Sequence, residues 1–334
     1  MRVAIIGVGL QCRRRAPVIK ESKDDQLVVI ASLHLEHARD MAARMGCEAS
    51  GDWHSVVSRK DIDAILVCTP PHVHAEISVA AMRAGKHVLC EKPLTRTVGE
   101  SEEMVAAAKQ TGRVLKCGFN HRHHPAVLEA HRRFERGLIG KAVFGRARYG
   151  IGGRPGIEKE WRSDPAIVSG GQLMEQGIHV VDLYRWFLGD IRRVTGLVST
   201  SRWPIAPLED NGFALLESKG GAVASVHSSL TQWTNLFEFE VYGEKGSLVV
   251  RGLGASYGVE ELVTSLHDPA APFSHETIEY RGGDSSWKSE WEEFAAAIEE
   301  KREPLGNGAD GLAAMEIVNA VYSASSNGQA VVLP

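Results

Sequence analysis

Two segments of this 334-residue chain carry residue types and spacings suited to chemistry. The first is Cys90-Glu91-Lys92-Pro93, which closes a short apolar run at 86–90. A lysine locked by proline at the carboxyl end of a strand stands where open parallel sheets bind ligands, and its cation can steady a developing negative charge. The competing reading is a pair of solvated residues at a strand end. The second segment runs from Gly170-Gly171 to Asp182. On a helix at about 100° per residue, Glu175, His179 and Asp182 lie within about 60° of one another and share a face. A histidine between two carboxylates is oriented and made more basic, as a general acid/base needs. The same spacing also serves a metal site or a buried structural network. Asn120-His121-Arg122-His123-His124-Pro125 adds three histidines. With no nearby cysteine or Glu-x-x-His pair, it reads as a polar loop over a cleft, and no metal is expected.

These residues need elements to position them. Gly7-Val8-Gly9-Leu10-Gln11-Cys12 follows the first apolar run and opens a helix, where glycines let backbone N–H groups approach a pyrophosphate. Cys12 replaces the usual third glycine. The acid expected about 20 residues on, for a ribose hydroxyl, is missing from Ala31-Ser32-Leu33-His34. Its absence relieves repulsion of a 2′-phosphate, which Ser32, His34 or an arginine of 13–15 could accept. The cofactor expected is therefore NAD or NADP, with a slight tilt to NADP. Thr69-Pro70-Pro71-His72-Val73-His74 follows the third run and holds rigid backbone at the same sheet edge. His74 either caps the next helix or touches cofactor.

Apolar runs at 3–7, 27–32, 64–69, 86–90 and 114–118 alternate with helical patterns at 13–20, 36–45, 74–84 and 98–110. That alternation predicts an α/β fold with a doubly wound parallel sheet over 1–118. Residues 119–334 read as an α+β domain for substrate binding and oligomerisation. Its helices fall near 126–136, 175–188, 287–300 and 309–324, the C-terminal one packing back toward the first domain. Strands at 142–149, 194–199, 212–217, 222–227, 237–242 and 247–251 predict a large open, mostly antiparallel sheet. Such a sheet is a common seat for a second subunit, so a homo-oligomer, dimer or tetramer, is expected, with Trp203, Trp233 and Phe237 on that face or in the core.

Length above the single-core limit supports two domains, and 43% apolar residues suffice to fill both. Net charge of -4, spread along the chain, argues against nucleic-acid or membrane-surface partners and for a small molecule. Five cysteines without a Cys-x-x-Cys pair suggest core use in a reducing compartment. The N-terminus lacks a signal-peptide pattern and no apolar stretch approaches membrane-spanning length, so a cytoplasmic protein is expected.

In order and spacing, these segments resemble the glucose-fructose oxidoreductase / inositol dehydrogenase (Gfo/Idh/MocA) family of NAD(P)-dependent sugar oxidoreductases. The likeness covers nearly the whole chain. It rests on the glycine loop 7–12, on 69–76, on Glu91-Lys92-Pro93, on Gly118-Phe119-Asn120-His121-Arg122, on 170–182, on Gly243-Glu244-Lys245-Gly246 and on the closing segment 322–334. The resemblance implies a Rossmann first domain and hydride transfer between nicotinamide and a secondary alcohol or ketone of a sugar, sugar derivative or cyclitol. It implies Lys92 and His179 as the catalytic pair, assisted by Glu175, where the family often has the shorter aspartate. Lys92, Arg122, Tyr149, Glu175, His179 and Asp182 would then face substrate, Asp182 meeting a hydroxyl or orienting His179. Gly7, Gly9, Leu10, Gln11, Ser32, Leu33, Thr69, Pro70 and His74 would face cofactor. So would Glu91, Lys92, Asn120, Trp161, Arg162 and Tyr322. Arg154, Lys159 and Arg162, in the glycine-rich stretch 149–162, suit a phosphorylated or carboxylated sugar, a cofactor pyrophosphate, or plain surface charge. Two other readings stay open. One is a related enzyme that oxidises transiently for glycoside cleavage or epimerisation without net redox change. The other is a silent cofactor-binding regulator, which the presence of both Lys92 and His179 disfavours.

Overall fold

Val3, Ala4, Ile5 and Ile6 are at most 2% exposed, so the first strand is covered on both faces, as an unbroken apolar run requires. The computed structural model describes residues 1–254 and 256–334, which divide into two units. The first comprises Met1–Asn120, Ala166–Ser169 and Trp287–Met315. Its elements are β1 (Arg2–Ile6), α1 (Leu10–Glu21), β2 (Gln26–Ala31), α2 (Leu35–Met45), β3 (Glu48–Ser50) and α3 (Trp53–Val57). There follow β4 (Ala64–Val67), α4 (His74–Arg83), β5 (His87–Cys90), α5 (Val98–Thr111) and β6 (Leu115–Cys117). All strands run parallel in the order β3-β2-β1-β4-β5-β6. This is the doubly wound Rossmann order, which reverses direction between β1 and β4. Ile6 pairs with Val67 there, so the two loops that follow leave the sheet side by side. Gly7 has φ 104°, and a Cβ on it would lie 2.6 Å from the Cys68 backbone, so no other residue suits this crossing.

The sequence missed β3 and α3, since a three-residue edge strand carries no apolar run. Trp287–Met315, expected with the second domain, groups with the first unit. The helix Ser286–Glu299 sends Trp291 and Phe294 into the core built by Val3, Ile5, Leu66 and Leu89, and Trp291 donates to Asp25 at 2.8 Å.

The second unit comprises His121–Pro165, Gly170–Ser286 and Glu316–Pro334. Chain order gives α6 (Pro125–Glu135), β7 (Ala142–Gly152), α7 (Ile178–Leu188), β8 (Ile191–Ser199), β9 (Asn211–Ser218), β10 (Val223–Ser229), β11 (Thr231–Gly243) and β12 (Gly246–Arg251). Then come β13 (Glu260–Leu266), β14 (Glu276–Tyr280), α8 (Ser286–Glu299, of the first unit from Trp287), α9 (Gly308–Asn327, of the first unit up to Met315) and β15 (Val331–Val332). The sheet order is β14-β13-β12-β11-β7-β10-β9-β8-β15, with β7 and β10 parallel and the other neighbours antiparallel. Strands β13 to β15 lie beyond the expected set. In β13 the buried positions include Glu260 and Thr264, which hide the apolar alternation. One sheet face is buried through Ala214, Leu216, Ala224 and Val226. The other leaves Leu197, Phe213 and Leu215 46–62% exposed. Trp203 and Phe237 are core, whereas Trp233 is 68% exposed. Among the described residues no helix is long and apolar enough to cross a membrane.

Candidate active site

In the first unit, the glycine loop, the Thr69 turn and Lys92 all leave the carboxyl edge of one sheet. Gly9 stands at the N-terminus of α1, whose opening N–H groups make an anion seat. Two buried oxygens here, Gln11 Oε1 and Thr69 Oγ1, have no hydrogen-bond partner. Buried polar atoms are rarely left so, and a ligand at this edge would satisfy them. With the absence of a side chain at Gly7 and Gly9, this fits a dinucleotide pyrophosphate. Leu10 is 52% exposed beside it.

At the end of β2, Ser32 Oγ accepts the His34 N–H at 3.2 Å and Leu33 is 85% exposed. Arg15 is not available to a phosphate there. It is 2% exposed, donates through Nε to Glu91 Oε1 at 2.6 Å, and sets Nη1 2.8 Å from Glu290 Oε2. Lys116, wholly buried, lies 3.8 Å from Glu290 and donates to the Leu305 carbonyl. Burial pushes the Glu290 carboxyl up, with Arg15 and Lys116 opposing. Glu91, expected at the cofactor, has its oxygens on Arg15 and on the Lys92 N–H (3.3 Å). It is only 4% exposed and serves as a strut under Lys92. His74 is also a tie: its ring nitrogens lie 2.7 Å from the Thr69 carbonyl and 3.1 Å from that of Pro93. Burial pushes its imidazole below the ordinary range. Thus His74 joins the Pro70 turn to the Lys92 turn. Asn120 ends the unit's first segment and is buried.

In the second unit a π-helical turn, Leu173–Gly177, precedes α7 where a regular helix was expected. Such turns re-aim side chains at functional sites. Its start is fixed by Glu209, which accepts the Gly171 and Leu173 N–H groups, each at 2.9 Å, and the Tyr322 hydroxyl at 2.8 Å. A Cβ on Gly170 would lie 2.2 Å from that hydroxyl, which is why glycine stands there. Tyr322, expected at the cofactor, has its hydroxyl on Glu209 and helps position the turn. Burial pushes Glu209 up, opposed by these hydrogen bonds.

His179 is buried and stacks on His121, centroids 3.7 Å apart with planes inclined 17°. His121 Nε2 lies 3.1 Å from the Tyr149 hydroxyl. Asp182, expected to orient His179 or bind a hydroxyl, takes Arg122 bidentately at 2.6 and 2.8 Å. Glu175 accepts from Arg162 Nε at 3.2 Å, and the Arg162 guanidinium lies 4.3 Å above the Trp161 ring. Arg154 pairs with Glu160 at 2.7 Å, and Lys159 is exposed. The structure therefore brings Arg122, Tyr149, Glu175, His179, Asp182, Trp161 and Arg162 together in one unit, and Lys92 with the glycine loop in the other. Among the described residues no three His, Cys, Asp or Glu side chains converge as a metal-binding group.

Residues 1–119 match the model of the oxidoreductase family with NAD-binding Rossmann fold (Gfo/Idh/MocA), and residues 127–249 match the Gfo/Idh/MocA C-terminal domain. A 1,5-anhydro-D-fructose reductase of Ensifer adhaerens is 30% identical, with 82% of this chain and 81% of that protein covered. The chain belongs to the Gfo/Idh/MocA family. Within it, a levoglucosan dehydrogenase of Pseudarthrobacter phenanthrenivorans is 34% identical over 250 residues, 66% of this chain and 64% of that one. A levoglucosan dehydrogenase solved with NADH and L-sorbose superposes with a TM-score of 0.90 at 27% identity, covering 100% of this chain and 99% of that one. This Gfo/Idh/MocA protein is accordingly an oxidoreductase with an NAD-binding Rossmann unit.

Sequence reasoning missed Arg15, His121, Glu209 and Glu290 as site-building residues. Arg15 had a usable signal: it follows Cys12 by three and precedes Ile19 by four, so it lies on the buried stripe of α1. His121 had only its place in a histidine-rich run, and Glu209 had none.

Proposed function

We propose that this protein moves a hydride between nicotinamide and a secondary alcohol or ketone of an uncharged sugar or cyclitol. A bound dinucleotide supplies the hydride acceptor or donor. The chain supplies what the substrate oxygen and its proton require. As a carbinol loses hydride, negative charge grows on its oxygen, and Lys92 offers the cation that offsets it. The hydroxyl proton needs a neutral acceptor, and His179 offers its imidazole. In reduction the same groups work in reverse.

The observation that carries the substrate class is charge balance. Arg122, Arg162 and Arg154 are each paired with a carboxylate, Asp182, Glu175 and Glu160 respectively. Recognition of a phosphate or carboxylate calls for an uncommitted guanidinium, and these three are committed. The relatives named for levoglucosan and for 1,5-anhydro-D-fructose act on sugars without such groups. At the adenosine end, the absence of an acid at Ser32 and the sequestering of Arg15 support weak selection, with NAD and NADP both accepted. The test is a panel of free sugars, anhydrosugars, inositols and sugar phosphates, each with NAD and NADP, followed by absorbance of the reduced nicotinamide. An uncharged compound should be preferred over its phosphate ester, and kcat/KM for the two cofactors should differ by less than roughly tenfold, or about 1.4 kcal/mol. A phosphate ester that outperforms the free sugar would overturn the substrate assignment.

The exposed Leu197, Phe213 and Leu215, beside Arg146–Glu240 and Arg148–Glu238 pairs, support a self-complementary interface between copies. Light scattering on the intact chain should give a dimer or tetramer, and Leu215→Glu should shift it toward monomer. Absence of any disulfide among the five cysteines supports a cytoplasmic location.

A further inference from the structure

His121 and His179 make an arrangement that neither the family resemblance nor the proposed proton transfer calls for: two buried imidazoles face to face. Their centroids are 3.7 Å apart, and both side chains are at most 6% exposed. The pair is held from both ends. On one side His121 bonds the Tyr149 hydroxyl, and the Tyr149 ring packs at 5.3 Å on Tyr257. On the other side Gln176 of the π-helical turn donates to the Tyr257 hydroxyl at 3.1 Å, which returns to the helix carrying His179. A further imidazole, His124, lies edge-on to His121 at 5.6 Å and is bonded to Glu260 at 2.8 Å. Of the carboxylates on the His179 helix, Asp182 carries Arg122 and Glu175 carries Arg162, so each arrives largely neutralised.

Two imidazolium charges at this separation repel strongly where water is excluded. We infer that His121 and His179 act as a coupled pair that holds one proton between them, with His121 a positioning residue that keeps the base neutral and sets where it titrates. This rests on the reading of His179 as the proton acceptor. A stacked neighbour also fixes the imidazole plane, and a fixed plane presents the same nitrogen to each substrate hydroxyl. Because the second proton must go on beside the first, the pair titrates as a unit, with steps separated by more than about one pH unit.

The test is the pH profile of kcat/KM for the intact enzyme, its His121→Phe variant and its His121→Gln variant. Phenylalanine keeps the stacked ring and removes the titrating nitrogens; glutamine keeps a hydrogen-bonding partner for Tyr149 and removes the ring. His121→Phe should raise the apparent pKa of the acid limb by about one pH unit while leaving the plateau within roughly tenfold, because His179 then gains its proton without a charged neighbour. His121→Gln should lower the plateau further, through loss of the fixed plane. An acid limb that His121→Phe leaves unmoved, or moves downward, overturns the coupling. Full activity of His179→Ala overturns the underlying assignment instead, so the two failures are distinguishable. Far-ultraviolet circular dichroism and thermal unfolding of each variant separate a folding defect from a shifted titration.

Discussion

Around Lys92 a buried ionic cluster joins the His74 hydrogen bonds in fixing the turn, whereas around His179 the fixing contacts are aromatic and hydrogen-bonded. Glu91, the residue before the lysine, sits in a buried quartet with Arg15, Glu290 and Lys116. The quartet draws on α1, the end of β5, β6 and α8, so one set of charges ties the cofactor-loop helix to the lysine turn. His179 instead stacks on His121, and the nearby charges are gathered into separate pairs, Arg122 with Asp182 and Arg162 with Glu175. A lysine that must remain a cation tolerates fixed charge close by. A base that must remain neutral, as we propose for His179, is set among rings and paired carboxylates, so that its titration answers mainly to its stacked neighbour.

The largest expected effect is on turnover. Lys92→Met and His179→Phe should each lower kcat by about 10² or more with the fold intact. Near-normal activity in either removes that residue from the proton and charge handling. The ionic half breaks next. Arg15→Met leaves Glu91 and Glu290 buried beside a single remaining cation, Lys116, and should cost about 3–5 kcal/mol in denaturant unfolding. Asp182→Asn removes the carboxylate that Arg122 holds bidentately in the other unit, and should also lower stability. If Arg15→Met proves neutral, the quartet does not hold the lysine turn.

A smaller effect separates the units by the sign of their pH dependence. His74, in the first unit, has its folded pKa pushed below the ordinary imidazole value by burial, so the unfolded chain binds the proton more readily. Its contribution is present above pH of about 6.5 and is lost as pH falls through the folded value. Glu209, in the second unit, has its folded pKa pushed above the ordinary carboxylate value by burial, so the folded chain holds the proton more readily. Stability from this group therefore falls as pH rises from the ordinary value through the folded one. Each slope is at most about 1.4 kcal/mol per pH unit. His74→Asn should flatten the acid-side loss and Glu209→Gln the opposite one, as measured by denaturant midpoints across pH. The smallest effect belongs to the exposed Arg154–Glu160 pair. Arg154→Ala should change stability by less than about 1 kcal/mol and leave activity on a free sugar nearly unchanged.

The ionic half was harder to read in the sequence than the positions it supports. Alternation of apolar runs and helical patterns, with Gly7-Val8-Gly9 after the first, suffices to place a Rossmann sheet and to put Lys92 at its carboxyl edge. Regular helical spacing likewise predicts a shared face for Glu175, His179 and Asp182, although Glu175 falls in the π-helical turn that precedes α7. What spacing cannot supply is the partner from a distant element: Glu290 lies 275 positions beyond Arg15, and a charged residue on a buried stripe looks like a surface one until its counter-ion is known. The π-helical turn is invisible for a related reason, because its cause is Glu209, drawn in from 38 residues away to Gly171. Strand β13 was missed because inward polar residues such as Glu260 break the alternation that marks a half-buried strand, and β14 because none of its residues is fully buried.

Hydride transfer itself is tested most directly by isotope. An uncharged sugar that the panel identifies as substrate, deuterated at the reacting carbinol carbon, is incubated with the enzyme and oxidised dinucleotide, and the reduced dinucleotide is isolated for mass spectrometry. Direct transfer requires deuterium in the nicotinamide ring, with a stoichiometric ketone and no exchange with solvent. Turnover that leaves the dinucleotide oxidised at completion, or a reduced dinucleotide carrying only solvent hydrogen, would contradict it.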